Sequence, residues 1–211
     1  MKHLTELIDG YRRFRASEWA NERARWTELA EGQNPRVMVL ACSDSRVDPS
    51  QIFDVRPGEI FVVRNVAALA PPYETSRGFH GVSAALEFAV AQLGVAEILV
   101  MGHGRCGGCA AALTGQFDDT PPGEGHFIGD WVRMLGQARN LVRRDHPDLG
   151  AQAFLAMEHE AVKVSLANLR SFPWIASREA DGALRLYGAH FSIAEGRLYV
   201  LDEAEDDFRP V

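Results

Sequence analysis

Val37-Met38-Val39-Leu40-Ala41-Cys42 is a continuous apolar run that ends on a cysteine. With no polar interruption it reads as a strand buried on both faces, the pattern of a parallel sheet covered by helices on each side. The run begins just after Pro35, where the character of the chain changes. Downstream, Asp48 before Pro49 has the form of a helix cap with proline at the first helical position, and predicts a short helix to about residue 55. Pro57-Gly58 turns the chain into a second strand over 60–64. Val82, Ala85, Leu86, Ala89 and Leu93 recur at helical spacing and predict a helix that stops at Gly94. A third strand over 97–102 leads through a glycine-rich turn into a helix over 107–113. Residues 116–126 (QFDDTPPGEGH) read as a polar loop, followed by helices over 127–144 and 151–170. A strand over 184–191 and a hairpin partner over 197–201 close the pattern. The expected fold is α/β: a central, mainly parallel sheet flanked by helices, with a C-terminal antiparallel hairpin strand.

Upstream of Pro35 the grammar is helical. Leu4, Leu7, Ile8, Tyr11 and Phe14 share a helix face, and Ser17 is placed to cap a second helix bearing Trp19, Trp26 and Leu29. Residues 1–34 therefore read as a helical arm for dimerisation, and 35–211 as a single catalytic domain. With 211 residues, 46% of them hydrophobic, the chain is long enough to bury a core without disulfides. Its net charge of −7 argues against a nucleic-acid or anionic-membrane partner. Asp202, Glu203, Glu205, Asp206 and Asp207 supply much of that surplus, so the C-terminus reads as a solvated tail. Three cysteines are odd in number and too few for a disulfide framework, which points to a reducing, cytoplasmic compartment and to thiols used in metal or redox chemistry. Acidic residues interrupt both the N-terminus and the most apolar stretch, so neither a secretory signal nor a membrane span is expected.

Ligands of open parallel sheets collect at the carboxyl ends of the strands, and two such ends here are chemically loaded. One reads Cys42-Ser43-Asp44-Ser45-Arg46, the other His103-Gly104-Arg105-Cys106-Gly107-Gly108. Two thiolates and an imidazole are a zinc ligand set that leaves a fourth position open. Water bound there has its pKa lowered from about 15.7 toward 7, which yields hydroxide at neutral pH. Asp44 and Arg46 are spaced to form an ion pair that keeps the carboxylate off the metal; released, Asp44 becomes a fourth ligand and closes the site.

Other readings compete for the same residues. Gly102-His103-Gly104-Arg105-Cys106-Gly107 matches a dinucleotide-binding fingerprint, but the acidic strand end expected about twenty residues later is replaced by the Asp118-Asp119-Thr120-Pro121-Pro122 loop. Cys106-Gly107-Gly108-Cys109 has the form of a thiol redox motif, a reading that leaves Cys42 and His103 without a role. A closed, purely structural Cys/Asp/His/Cys zinc site is a further alternative. The remaining histidines, His190 among them, read as surface or ordinary core residues.

Taken together, Cys42-Ser43-Asp44-Ser45-Arg46, Arg64-Asn65-Val66-Ala67 and His103-x-x-Cys106-Gly107-Gly108 resemble the β-class carbonic anhydrases, and the likeness runs from the N-terminal arm to Ser171-Phe172-Pro173-Trp174 and the final hairpin. The resemblance implies one zinc ion per chain on Cys42, His103 and Cys106, Asp44 and Arg46 as the catalytic pair, and a homodimer or homotetramer with sites near the subunit interface. It favours the plant-like, open-site subtype. Val39 stands where the bicarbonate-inhibited subtype has tryptophan, and Gln33 occupies the plant-like glutamine position. Phe61 and Val66 match the apolar substrate pocket, and Phe88 replaces a tyrosine. The implied reaction is the reversible hydration of carbon dioxide to bicarbonate and a proton by attack of zinc-bound hydroxide. Gln33 and the Gly107 N–H would orient the substrate. Relatives that hydrolyse carbonyl sulfide or carbon disulfide share these motifs, and those activities stand as alternatives.

Overall fold

The computed structural model describes residues 3–121 and 123–211; Pro122, within the expected 116–126 loop, lies outside them. The chain divides into two compact units at the Asn34–Pro35 junction.

The first unit holds three helices, α1 (Leu4–Ala16), α2 (Glu18–Asn21) and α3 (Arg23–Glu31). Phe14 of α1 meets Trp26 of α3 edge to face, with ring centroids 5.5 Å apart. Ser17 makes no side-chain cap; its hydroxyl turns back to the Arg13 carbonyl at 2.8 Å. The expected second helix is instead broken at Glu22, which caps α3.

The second unit is built on a six-stranded sheet of order β2-β1-β3-β4-β5-β6. Its strands are β1 (Val37–Cys42), β2 (Ile60–Asn65), β3 (Glu97–His103), β4 (Arg185–Ser192), β5 (Arg197–Asp202) and β6 (Asp207–Pro210). The first four in spatial order are parallel; β5 and β6 add on antiparallel. β1 lies inside the sheet between β2 and β3, and its unbroken apolar run follows from that place: Val39 and Ala41 enter one core, Met38 and Leu40 the other. The acidic C-terminus is not a solvated tail. Phe208, between Asp207 and Arg209, is buried, and its segment pairs with β5 as the sixth strand.

Helices α4 (Pro49–Ile52), α5 (Gly81–Glu87), α6 (Gly107–Thr114), α7 (His126–Val132), α8 (Gly136–Asp145), α9 (Ala151–Arg170) and α10 (Pro173–Ala180) complete the unit. α4 starts where the Asp48 carboxylate accepts the Ser50 N–H at 2.9 Å and stops three residues short of the expected end, before Asp54 takes a left-handed conformation, φ 49°. The helix expected up to Gly94 passes into a π turn over 88–92. The segment 127–144 is split by a 3-10 turn at Arg133–Leu135. α10 opens on Pro173 and contributes Ile175 to the second core. Among the described residues no helix is long and apolar enough to cross a membrane.

Long helix α9 lies against β3 and β4 because two glycines let it come close. A Cβ on Gly102 would stand 2.7 Å from Val162, and one on Gly188 would stand 2.8 Å from the same side chain. Val162 thus seats directly on the strand backbones, which brings Glu158, one turn earlier, to the strand ends.

Candidate active site

The carboxyl ends of the adjacent parallel strands β1 and β3 carry Cys42 and His103, and Cys106 follows as the N-cap of α6. One sulfur from each cysteine and one imidazole nitrogen lie within 4.8 Å of one another. All three residues are buried, with exposures of 6%, 1% and 3% for Cys42, His103 and Cys106. His103 Nδ1 stands 3.0 Å from the Gly104 carbonyl, to which it donates; this leaves the lone pair on Nε2. That nitrogen is buried and has no hydrogen-bond partner among the described residues. An orphaned imidazole nitrogen facing two sulfurs is a costly arrangement in a core unless a cation accepts its lone pair. The residues therefore fit a metal ion.

The thiols agree with this. The Cys106 thiol beside it and burial push Cys42 up to about 12. The Cys109 thiol and burial push Cys106 up to about 12 as well. Reactive redox thiols are depressed instead, so these surroundings do not activate the Cys106 thiol for exchange. Coordination to a cation would deprotonate such thiols outright.

Asp44 and Arg46 occupy the turn after β1. The guanidinium donates to both carboxylate oxygens, at 2.9 Å and 2.6 Å, and the Arg46 amide adds a bond at 3.0 Å. The Arg46 side chain thereby holds the Asp44 carboxyl well below the usual carboxylate range. Asp44 Oδ2 lies 3.9 Å from His103 Nε2, beside the sulfur–imidazole group and outside it. Arg46 also donates to the Arg105 carbonyl at 3.0 Å, tying the aspartate turn to the loop between His103 and Cys106. Arg105 presents that carbonyl from a left-handed conformation, φ 57°.

Several supporting residues carry no signal in isolation. Arg64 of β2 donates to the carbonyls of Cys42 at 2.8 Å and Asp44 at 2.6 Å, and to the Asp48 carboxylate at 3.0 Å, so one side chain braces the whole 42–48 turn. The loop after β2 is pinned from α9: Ser165 Oγ accepts the Ala70 N–H at 3.2 Å and donates to the Ala68 carbonyl at 3.1 Å. Asn168 donates to Ala70 O at 2.8 Å. Ala67 and Ala68 are both left-handed, and the strain is held by this pinning. It sets Val66 against Gly108, where a Cβ would stand only 2.7 Å from the Val66 side chain. The one cue in the sequence was the Arg64-Asn65-Val66-Ala67 string itself.

Cys42, Asp44, Arg46, Val66, His103, Cys106 and Gly107 thus come together within the second unit. Gly107 opens α6, and its Cα faces open space. Phe61 and Phe88 form a separate ring pair with centroids 6.0 Å apart, and Phe61 packs with the second core, not with the core holding Cys42 and Cys106. Gln33 is exposed and belongs to the first unit.

Parallel strands delivering a Cys/His/Cys group and an arginine-held aspartate to one sheet end define an α/β protein with a group able to hold a metal ion. The carbonic anhydrase family model matches residues 37–198. The chain is 36% identical to β-carbonic anhydrase 3 of Arabidopsis thaliana, over 98% of this chain and 78% of that protein. The solved structure of the β-carbonic anhydrase CcaA superposes with a TM-score of 0.91 at 33% identity, covering 99% of this chain and 92% of that one. A tetrameric β-carbonic anhydrase from Sordaria macrospora gives a TM-score of 0.78 at 26% identity, over 94% of this chain and 96% of that one. The chain belongs to the β-class carbonic anhydrases, and its enzyme class is carbonate dehydratase.

Proposed function

We propose that the chain catalyses the reversible hydration of carbon dioxide to bicarbonate and a proton, with one zinc ion held by Cys42, His103 and Cys106. The observation that carries this reading is the orphaned His103 Nε2, buried and facing two sulfurs beside an aspartate that arginine keeps charged and aside. Two thiolates and an imidazole suit zinc, whose Lewis acidity when bound brings the pKa of a water toward 7 and so supplies a nucleophile at neutral pH.

The chain's own residues do the positioning. Asp44, fixed through both oxygens by Arg46, accepts a hydrogen bond from the attacking oxygen and turns its lone pair toward the carbon. The Gly107 N–H, at the open start of α6, donates to a substrate oxygen, which favours the charge developing there. Val66 supplies an apolar wall. Because Arg46 holds Asp44, the protein would offer a bound zinc ion the side chains of Cys42, His103 and Cys106 and leave it open to solvent and substrate, the open-site behaviour of the plant-like subtype.

The assembly belongs to the same reading. Phe61 and half-exposed Phe88 (46%) pack away from their own chain's metal group, so as pocket residues they serve the site of a second copy. α1 exposes Leu4, Leu7, Ile8 and Tyr11, an apolar face for a neighbouring subunit. A homodimer or homotetramer follows, and the tetrameric relative supports it. Three reduced thiols favour a cytoplasmic setting.

Stopped-flow carbon dioxide hydration near pH 8.5, on protein of measured zinc content, tests the reading. Turnover that vanishes in Cys42→Ser is expected. No turnover at one zinc per chain would refute the assigned reaction and direct the assay to carbonyl sulfide and carbon disulfide.

A further inference from the structure

Glu158 is a charged side chain buried to 5% exposure in the middle of α9. A carboxylate so placed is costly unless its oxygens are satisfied, and both are. Oε1 accepts the Cys106 N–H at 3.1 Å. Oε2 lies 3.0 Å from Nε2 of His190, which is itself 2% exposed. His190 sits on β4 directly opposite Gly102 of β3, one residue before His103. Its ring is held edge-on by His159 at 4.9 Å between centroids, and His159 in turn stacks on Phe208 at 4.0 Å. Glu158 and His190 also line a cavity of about 810 Å³ shared with Arg46, Cys106 and Gly107.

This arrangement does one specific thing to the metal group. Cys106 is the N-cap of α6, and no side chain of its own turn caps that helix start. Its N–H would otherwise be one of the unsatisfied groups at a helix N-terminus. Glu158 anchors that N–H from outside the helix, and an anchored amide fixes the Cys106 backbone from which Cβ and Sγ project. His190 fixes Glu158 in turn. Of the three candidate ligands, His103 is oriented by the Gly104 carbonyl. Arg64 holds the carbonyl of Cys42. Cys106 alone is steered by a buried carboxylate on a distant helix.

We infer that Glu158, held by His190, is the positioning residue for Cys106, setting the direction of its sulfur toward the metal. The inference rests on the zinc reading of the Cys42–His103–Cys106 group.

The test compares full-length E158A, E158Q and H190F with wild type. Zinc affinity is measured by competition with a chromophoric chelator, and the cobalt(II)-substituted proteins give visible spectra. Glutamine keeps an acceptor for the Cys106 N–H and alanine does not. E158A is expected to bind zinc about 10–100-fold more weakly, the range for lost outer-shell support, with displaced cobalt bands. E158Q is expected to stay within about threefold of wild type with its cobalt bands in place. H190F, which keeps the ring shape against His159, is expected to weaken zinc at least about threefold. A merely structural role would lower stability without moving the cobalt bands. Wild-type affinity and spectrum in E158A, or equal losses in E158A and E158Q, would overturn the inference. If E158A does not fold, the other two variants decide: E158Q impaired, or H190F unchanged, would overturn it. Wild type that takes up no zinc would overturn the zinc reading first, and this inference with it.

Discussion

At the residue scale, the proposed chemistry rests on Asp44 being charged, fixed and close to the Cys42–His103–Cys106 group without joining it. Arg46 secures all three conditions through two side-chain bonds and one amide bond. Asp44→Asn keeps the shape but loses the charge that Arg46 grips. It should retain zinc by elemental analysis while carbon dioxide hydration falls by about 100-fold or more, the scale of a lost proton-handling group. Arg46→Ala removes the restraint; a crystal structure of that zinc-loaded variant should show the carboxylate moved onto the metal. A solvent ligand still in the fourth position would count against the restraint. A second residue-scale effect concerns stability. Burial holds His159 down to about 4, from an ordinary 6.5. The unfolded chain therefore takes up this proton first as pH falls, so the contribution of His159 to stability is full above about 6.5 and declines toward 4. Urea midpoints measured across that window should fall in the wild type and fall less steeply in His159→Phe, which keeps the stack on Phe208.

At the scale of elements, the site is a meeting of strand ends held in register by helix α9. At Gly102 and Gly188 α9 comes too close for a Cβ, in both cases through Val162. Gly102→Ala should destabilise by about 1–3 kcal/mol through overpacking, read as a lower urea midpoint. Because Glu158 rides on the same helix, zinc affinity should drop in parallel. Trimming Val162 to alanine in the Gly102→Ala background makes room for the new Cβ and should restore part of both. The loop after β2 depends on α9 as well. Ser165→Ala leaves the Ala70 N–H without its acceptor and should cost about 1–3 kcal/mol. Much at this scale was legible in the chain. The apolar run of β1, the Asp48-Pro49 helix start and the glycine after β3 each follow from short-range rules, and each stands within a residue of its expected place. What was missed depended on partners far along the chain. Phe208 follows a run of acidic residues, and only the open edge of β5 makes its segment a strand. His190 carries no local pattern that distinguishes it from a core histidine until Glu158 is set beside it.

At the scale of the whole molecule, the assembly proposed from exposed α1 and the displaced Phe61–Phe88 pair predicts a mass of two or four 23.3 kDa chains by light scattering. A chain lacking residues 1–34 should shift toward smaller species. A full-length monomer with full turnover would show that Phe61 and Phe88 serve no second site. The sequence by itself determined the class of fold, because the periods and punctuation of strands and helices are local. It also singled out the candidate site residues, since two cysteines and a histidine at strand ends admit few chemistries. Only the tertiary structure decided that those groups converge within 4.8 Å, that Asp44 stands beside them under the hold of Arg46, and that Arg64 and Glu158 brace the turns that carry them. The physical reason is range. Hydrophobic spacing and capping act over a few residues, whereas a buried carboxylate or guanidinium finds its partners only where distant segments have already packed together.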